Sequence, residues 1–391
     1  MFMRGMLIQP FQDQFSASAT AVVLSTTGVA TFMTAVANPV FGRLLMRYPA
    51  KMIMYCAVLA LGAGYTGLAF VREIWQVAAT YSLIAFGIAA SFLACQTLIA
   101  NWFVAKRGRA LGIAAAGMYV FGLLAAPVTY YGEAHIGLQA TLVAVGLINF
   151  ALLLPVWWFV VNKPEDRGLL PDGRTALEPK AIGSAEEGHP WTFKAILMTR
   201  RFWLLLAIFF ACNTGGDVVT NLILIAEHAN IGREAASYLL ASESIGAVIG
   251  TIVSGRIFDR FGQRIFVRCW IVPLGLGFLL SMGQPSYVLL LTAGVALGLG
   301  IGAQTVGLGA LAGANFGRHA VAFTIGIMYP LMGFFSVANL SILGRLYDFS
   351  GNLDAALVCY LIALGGVALL SLLLPGSTAR PMSRVTGEVI S

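Results

Sequence analysis

Charge is what this sequence has least of. Asp, Glu, Lys and Arg make up 10% of its 391 residues, against roughly 25% in soluble domains. That excludes a surface wetted on all sides by water. Histidine is down to four residues. The five cysteines (Cys56, Cys95, Cys212, Cys269, Cys359) all fall inside apolar runs, with no C-x-x-C pair. A disulfide framework or a metal site is therefore not indicated, and they read as small packing residues. No Walker A loop and no H-E-x-x-H occur, so neither a nucleotide-driven pump nor a zinc hydrolase is supported. No nucleophile–base pair stands at a recognisable spacing, so the chain does not read as an enzyme, and no cofactor is implied. No cleavable signal peptide is visible.

What is present is hydrocarbon. Hydrophobic residues make up 59% of the chain, and mean hydropathy is +0.84. Eleven apolar runs follow one another: Ala17–Leu45, Met52–Phe70, Trp75–Phe103, Gly108–Tyr131, Leu138–Val161, Phe202–Ala226, Ala235–Phe258, Ile265–Met282, Tyr287–Ala314, Ala320–Leu346 and Ala355–Leu374. Each can cross roughly 30 Å of hydrocarbon at about 1.5 Å per residue. The fold class is thus an all-α polytopic membrane protein. The net charge of +7 does not point to nucleic acid, because the charges sit in short loops between apolar runs.

Those loops carry a repeat. Gly255–Arg264 reads GRIFDRFGQR, a turn too charged for hydrocarbon that joins two apolar runs. An echo, Gly42–Lys51 (GRLLMRYPAK), lies 213 positions earlier and matches at Gly42/Gly255, Arg43/Arg256, Arg47/Arg260 and Lys51/Arg264. Ala100-Asn101-Trp102 answers Ala314-Asn315-Phe316, and Gly112 answers Gly326, at an offset of 214. The chain is two copies of one unit, a common plan among secondary transporters. The copies differ where it matters. Met46 stands where the second has Asp259, and Pro49 where it has Gly262.

The pattern G-x-[LI]-x-D-R-x-G-x-[RK] resembles the signature loop of the major facilitator superfamily, in which it joins helices 2 and 3 with a copy between helices 8 and 9. The resemblance covers nearly the whole chain. It implies two pseudo-repeated six-helix bundles that rock around a central substrate site, with Gly42, Arg43, Arg47, Gly255, Asp259, Arg260, Gly262 and Arg264 in the gating loops. KPEDRGLLPDG (Lys163–Gly173) and NWFVAKRGRALGIAAAG (Asn101–Gly117) are similar to the monocarboxylate-transporter and oxalate:formate-antiporter branches and their bacterial relatives. The chain departs from monocarboxylate transporters at two places. Thr251 stands where they carry an arginine, and Ala247 where they carry its acid.

Eleven runs are one short of two sixes. Shifted back by 213, the run Phe202–Ala226 falls partly before residue 1. Met1–Phe11 then reads as the outer end of a first helix whose inner part is missing, through a start codon assigned too late; a true eleven-span protein is the alternative. The expected units are a bundle over 1–161, a linker over 162–201, a bundle over 202–376 and a tail over 377–391. Basic residues collect on the side of Arg43, Lys51, Lys106, Arg256 and Arg264, with only Arg72, Arg233 and Arg345 opposite. By the positive-inside rule the basic side and the C-terminus are cytoplasmic, in a cell's inner (plasma) membrane.

Ionisable groups inside the runs are functional candidates. Asp217 and Glu243 fall at similar depth on neighbouring runs and can take up and release a proton. Arg4 answers Asp217 in the repeat. It is an intramembrane anion holder if a first helix precedes it, and a flanking charge otherwise. Asn213, Asn221, Tyr119, Tyr329, Gln304, Gln96, Asn149 and Asn339 are candidate lining residues, or else interhelical glue. Two small-residue stripes, Gly246-x3-Gly250-x3-Ser254 and Gly294-x3-Gly298-x3-Gly302, permit close helix contact, in a static seam or a sliding one. The expected activity is proton-coupled transport of a small organic anion such as a carboxylate, by a monomer in the lipid bilayer. The alternatives are an efflux or exchange carrier for another small molecule, and a non-transporting sensor or inactive truncated carrier.

Overall fold

The computed structural model describes residues 11, 15, 18, 21–22, 24–173, 192–228, 233–283, 285–334 and 354–374. All regular structure among them is helical, with no strand. A short π-helical stretch, Leu24–Gly28, leads into α1 (Val29–Leu44). Next come α2 (Ala50–Leu68), α3 (Ile74–Trp102), α4 (Arg107–Ala151) and the short α5 (Leu153–Phe159). After the linker come the short α6 (Phe193–Leu197), α7 (Arg200–His228), α8 (Arg233–Leu280), α9 (Tyr287–Phe316), α10 (321–334) and α11 (Asp354–Leu370).

Two of these helices are pairs of spans joined by a single broken residue. Gly137 in α4 has φ +82°, and Gly262 in α8 has φ +77°. That region of φ is open to glycine and strained for other L-residues, so the helix axis turns there without a loop. The expected run Gly108–Tyr131 is the first arm of α4, Leu138–Val161 is its second arm continued by α5, and Ala235–Phe258 and Ile265–Met282 are the two arms of α8. In the first copy the residue answering Gly262 is Pro49, at φ −58°. The chain there leaves α1 through turn residues 45–48 and uses Pro49 to start α2. Helix entry elsewhere is capped by side chains: Thr192 accepts from the Ala195 amide and Ser286 from the Leu289 amide.

Among the described residues, six helices are long and apolar enough to cross a membrane. Their outer faces carry large apolar side chains in the open: Phe159 is 81% exposed and Ile362 70%. Hydrocarbon, not water, suits such a surface. Lipid is as apolar as the core, so apolar burial does not drive these helices together, and they are held by close packing. The two glycine stripes supply it. The first arm of α8 and α9 run side by side. A Cβ on Gly246 would strike the Val295 carbonyl, one on Gly250 the Leu299 carbonyl, and one on Gly298 the Glu243 carbonyl. The stripes anticipated as close-contact surfaces thus mesh with each other. Beside them Phe258, Phe266, Trp270 and Phe209 form a chain of tilted and edge-on ring contacts.

Candidate functional site

The two halves of the chain meet at their basic ends, through helix starts and glycines. Gly108 and Gly255 face each other so closely that a Cβ on either would overlap the other's backbone. One turn on, Gly112 packs on the Thr251 carbonyl. At this seam Asp259 crosses to the first half. Its carboxylate accepts from the backbone N–H groups of Gly108 (2.7 Å) and Arg109 (2.9 Å). These are orphan donors at the start of α4, where the helix dipole also favours an anion.

The first copy of the loop docks the same way. Gly42 packs on the backbone of Ala322 and Phe323, and Gly326 on the Asn38 carbonyl. These are the repeat counterparts of Gly255 and of Gly108–Gly112. Met46, in the position of Asp259, offers the start of α10 no acceptor. Arg43 and Arg47 are exposed, and their side chains make no hydrogen bond or ion pair among the described residues. Arg260 is exposed and lies over the Phe261 ring, 5.3 Å from its centroid. Among the described residues the gating loops thus join the halves through a helix-end contact, one carboxylate on two amides, plus close backbone packing. The last basic residue of each loop has a different task. Lys51 donates to the Trp157 carbonyl (2.7 Å), and Arg264 to the Leu372 and Leu374 carbonyls (2.9 Å each). Each ties its loop to the end of a helix late in its own half.

Further from the basic face the seam becomes polar. The Tyr119 hydroxyl shares a 2.8 Å hydrogen bond with Thr305 across the halves. Gln304 donates to Asn213 at 3.0 Å. Tyr119 has two more electrostatic neighbours, Glu243 and Tyr329. Glu243 is 9% exposed, and its carboxylate accepts from Ser244 (3.3 Å). Tyr329 meets Phe92 of the first half edge-on at 5.8 Å. One turn along α3 from Phe92, the buried Gln96 carbonyl lies against Gly309 and has no hydrogen-bond partner among the described residues. Five candidates, Tyr119, Tyr329, Glu243, Asn213 and Gln304, thus stand on the two sides of this seam. Arg4 and Asn339 lie outside the described residues. Asp217 and Asn221 lie on α7, but their side chains are outside what is described.

Four participants were not foreseen. Thr305 reads as a packing residue because a helical threonine bonds its own backbone, as it also does here to Ile301. Arg107 belongs to a basic loop, yet it is 6% exposed and pressed against Gly313 of the other half. In the linker, Asp172 accepts from the amides of Val104, Ala105 and Lys106, and Glu165 pairs with Arg318 at 2.9 Å. Burial acts to raise the Glu165 carboxyl. A hydrogen bond from its own backbone amide and the Arg318 guanidinium outweigh it and hold the group below its ordinary value.

Comparison with known proteins agrees with this picture. The Major Facilitator Superfamily profile matches residues 1–224 and again residues 210–387. An uncharacterized MFS-type transporter of Bacillus subtilis, YcxA, is 25% identical over 353 residues, covering 81% of this chain and 80% of that protein. The human monocarboxylate transporter 11 is 26% identical over 82% of this chain and 68% of its own length. The oxalate:formate antiporter of Oxalobacter formigenes is 27% identical over 63% of this chain and 52% of its own. The crystal structure of the E. coli fucose:proton symporter FucP superposes with a TM-score of 0.71 at 13% identity, covering 96% of this chain and 95% of that one. At that identity the likeness shows the fold: two pseudo-repeated helical bundles.

Proposed function

The chain belongs to the Major Facilitator Superfamily, and from that premise we propose that it is a secondary active transporter for a small organic anion, a carboxylate by preference, coupled to protons. The bundles, over residues 1–161 and 202–376, rock about a site between them. Their basic loops and the tail over 377–391 face the cytoplasm from the plasma membrane, and one copy suffices. The observation that carries the reading is the polar seam itself. A buried carboxyl, Glu243, neighbours a tyrosine that bridges the halves to Thr305. A proton or a substrate arriving there acts on both the charge of Glu243 and the bond that keeps the halves together.

The anion reading is supported by the names of two relatives, an oxalate:formate antiporter and a monocarboxylate transporter. Exchange is the second reading. It is supported by the antiporter among the relatives, while Thr251, fully buried against Gly112 where monocarboxylate transporters place an arginine, speaks against a monocarboxylate as the substrate. Purified protein in liposomes, given labelled oxalate, formate or lactate with and without an inward proton gradient, tests both. Gradient-driven accumulation that loses its pH dependence in Glu243→Gln or Asp217→Asn is expected. Full pH dependence in both variants overturns proton coupling. Uptake that needs a carboxylate inside the vesicle, and no gradient, selects exchange.

A further inference from the structure

We propose that the linker 162–173 supplies the lock that the first gating loop lacks, with Glu165 as a positioning residue acting through Arg318. The inference rests on the alternating-access reading above. The argument starts from the repeat. In the second copy a glycine brings two helices together and an acid four residues later fastens the facing helix start: Gly255, then Asp259 on Gly108 and Arg109. In the first copy the glycine contact is kept, Gly42 on Ala322 and Phe323. The acid is gone, because Met46 has no charge and no strong acceptor. A helix start that receives no carboxylate from its own gating loop is the place to look for a substitute.

The linker reaches both helix starts. Asp172 sits at φ +63°, in the left-handed region that aspartate enters more readily than most non-glycine residues. From it the carboxylate accepts from three successive amides, Val104 (3.2 Å), Ala105 (2.7 Å) and Lys106 (3.2 Å), just ahead of α4. Seven residues earlier Glu165 reaches Arg318, just ahead of α10. Pro164 just before Glu165, and Gly168 (φ +67°) and Pro171 between Glu165 and Asp172, fix the shape of the segment. Asn162 ties its start to the first half, accepting from the Lys51 amide (2.8 Å) and, at its carbonyl, from Asn101 (3.2 Å). The linker is therefore anchored on the first half and hooked by one carboxylate onto the second. With the ion pair made, the basic face is held on both sides: Asp259 at α4 and Glu165 at α10. The pair is partly exposed, with side chains 24% and 39% accessible. It can be surrendered to water as the bundles part, as a rocking gate requires.

The test is a distance measured across the basic face without substrate. Nitroxides are placed on cysteines at Tyr48 and Met198, both exposed, in full-length protein otherwise free of cysteine. Glu165→Gln should raise the ratio of long to short distances about two- to fivefold, the range of a partly exposed ion pair. The double reversal Glu165→Arg with Arg318→Glu should return it, and so should Met46→Asp added to Glu165→Gln, by restoring the missing acid. An unchanged distribution in Glu165→Gln, or no return with either rescue, overturns the proposal. Asp259→Asn separates the two levels of inference. If it opens the face and Glu165→Gln does not, only the linker's role fails. If neither variant moves the distance, the rocking reading itself fails.

Discussion

Removing the charge of Asp259 should open the basic face without unfolding the protein. The carboxylate holds two backbone amides at 2.7 and 2.9 Å. Such charge-assisted bonds at a helix start are together worth about 1–2 kcal/mol. Asparagine keeps one acceptor oxygen and loses the charge, so about 1 kcal/mol of the bond between the halves should go. That is roughly a fivefold rise in the open-to-closed ratio. The segment leading into α4 stays anchored, because Asp172 still accepts from residues 104–106. The helix therefore survives while the contact weakens. A cysteine replacing Gln96, which is buried behind the seam against Gly309, reports the change. Its rate of reaction with a membrane-impermeant maleimide, in vesicles that expose the basic face, should rise about fivefold in Asp259→Asn. Substrate affinity should stay within a few-fold, since Asp259 lies at the loop and not at the polar seam. An unchanged labelling rate refutes the argument, and loss of binding with normal folding refutes the placement of Asp259 in the gate.

Two further outcomes follow from the geometry. Gly298→Val should lower the thermal unfolding midpoint in detergent, since its Cβ meets the backbone of Glu243 and Ala247 and overpacking of this kind costs about 1–3 kcal/mol; Gly117→Val, with nothing within 4 Å of its Cβ, should not cost a comparable amount, and equal losses in the two would refute the packing account. The Glu165 contact should be insensitive to pH from 5 to 8: its carboxyl is held below the ordinary 4.5, so its stabilisation is present above that value and fades only as pH falls through the lower folded one, and a Glu165→Gln effect that vanishes at pH 6 would show another group to be in control.

The features legible in the sequence were those written as a repeat or a period. The offset of 213 paired Lys51 with Arg264, and both turn out to donate to carbonyls late in their own halves. It also exposed Met46 as a vacancy, since Met46 has no carboxylate to offer the start of α10. The glycine stripes were legible because a period of four on a helix leaves one smooth face. Pairings between distant segments had no such signal. Nothing local in KPEDRGLLPDG says that Glu165 will find an arginine 153 positions on, or that Asp172 will turn back onto residues 104–106. Arg107 sits in a run of basic loop residues, and nothing local says that it will be buried against Gly313 while donating to the Phe103 and Ala100 carbonyls. Tyr119 was picked out as an aromatic at mid-depth, but its partner Thr305 looked like any threonine in a helix.

The glycine contacts show why a static seam and a moving one cannot be told apart by residue type alone. Both kinds are present. Gly246, Gly250, Gly294, Gly298 and Gly302 join α8 to α9 inside one half, and Gly42, Gly108, Gly112, Gly255 and Gly326 join the halves to each other. In lipid, neither seam gains from apolar burial, so backbone proximity and dispersion must hold both. What differs is the chemistry at the edge. Trp270, Phe266 and Phe209 pack as neighbouring rings within the second half, and no water could replace those contacts without loss. The cross-half seam is edged by Asp259 on amides, by Glu165 on Arg318, and by Tyr119 on Thr305. Each of those partners can trade its bond for one to water at small net cost. The cross-half seam also carries the Phe92–Tyr329 ring contact, but its polar edges have solvated alternatives that the ring cluster beside the α8–α9 stripes lacks, and on that ground the alternating-access reading puts the motion between the halves and not between α8 and α9.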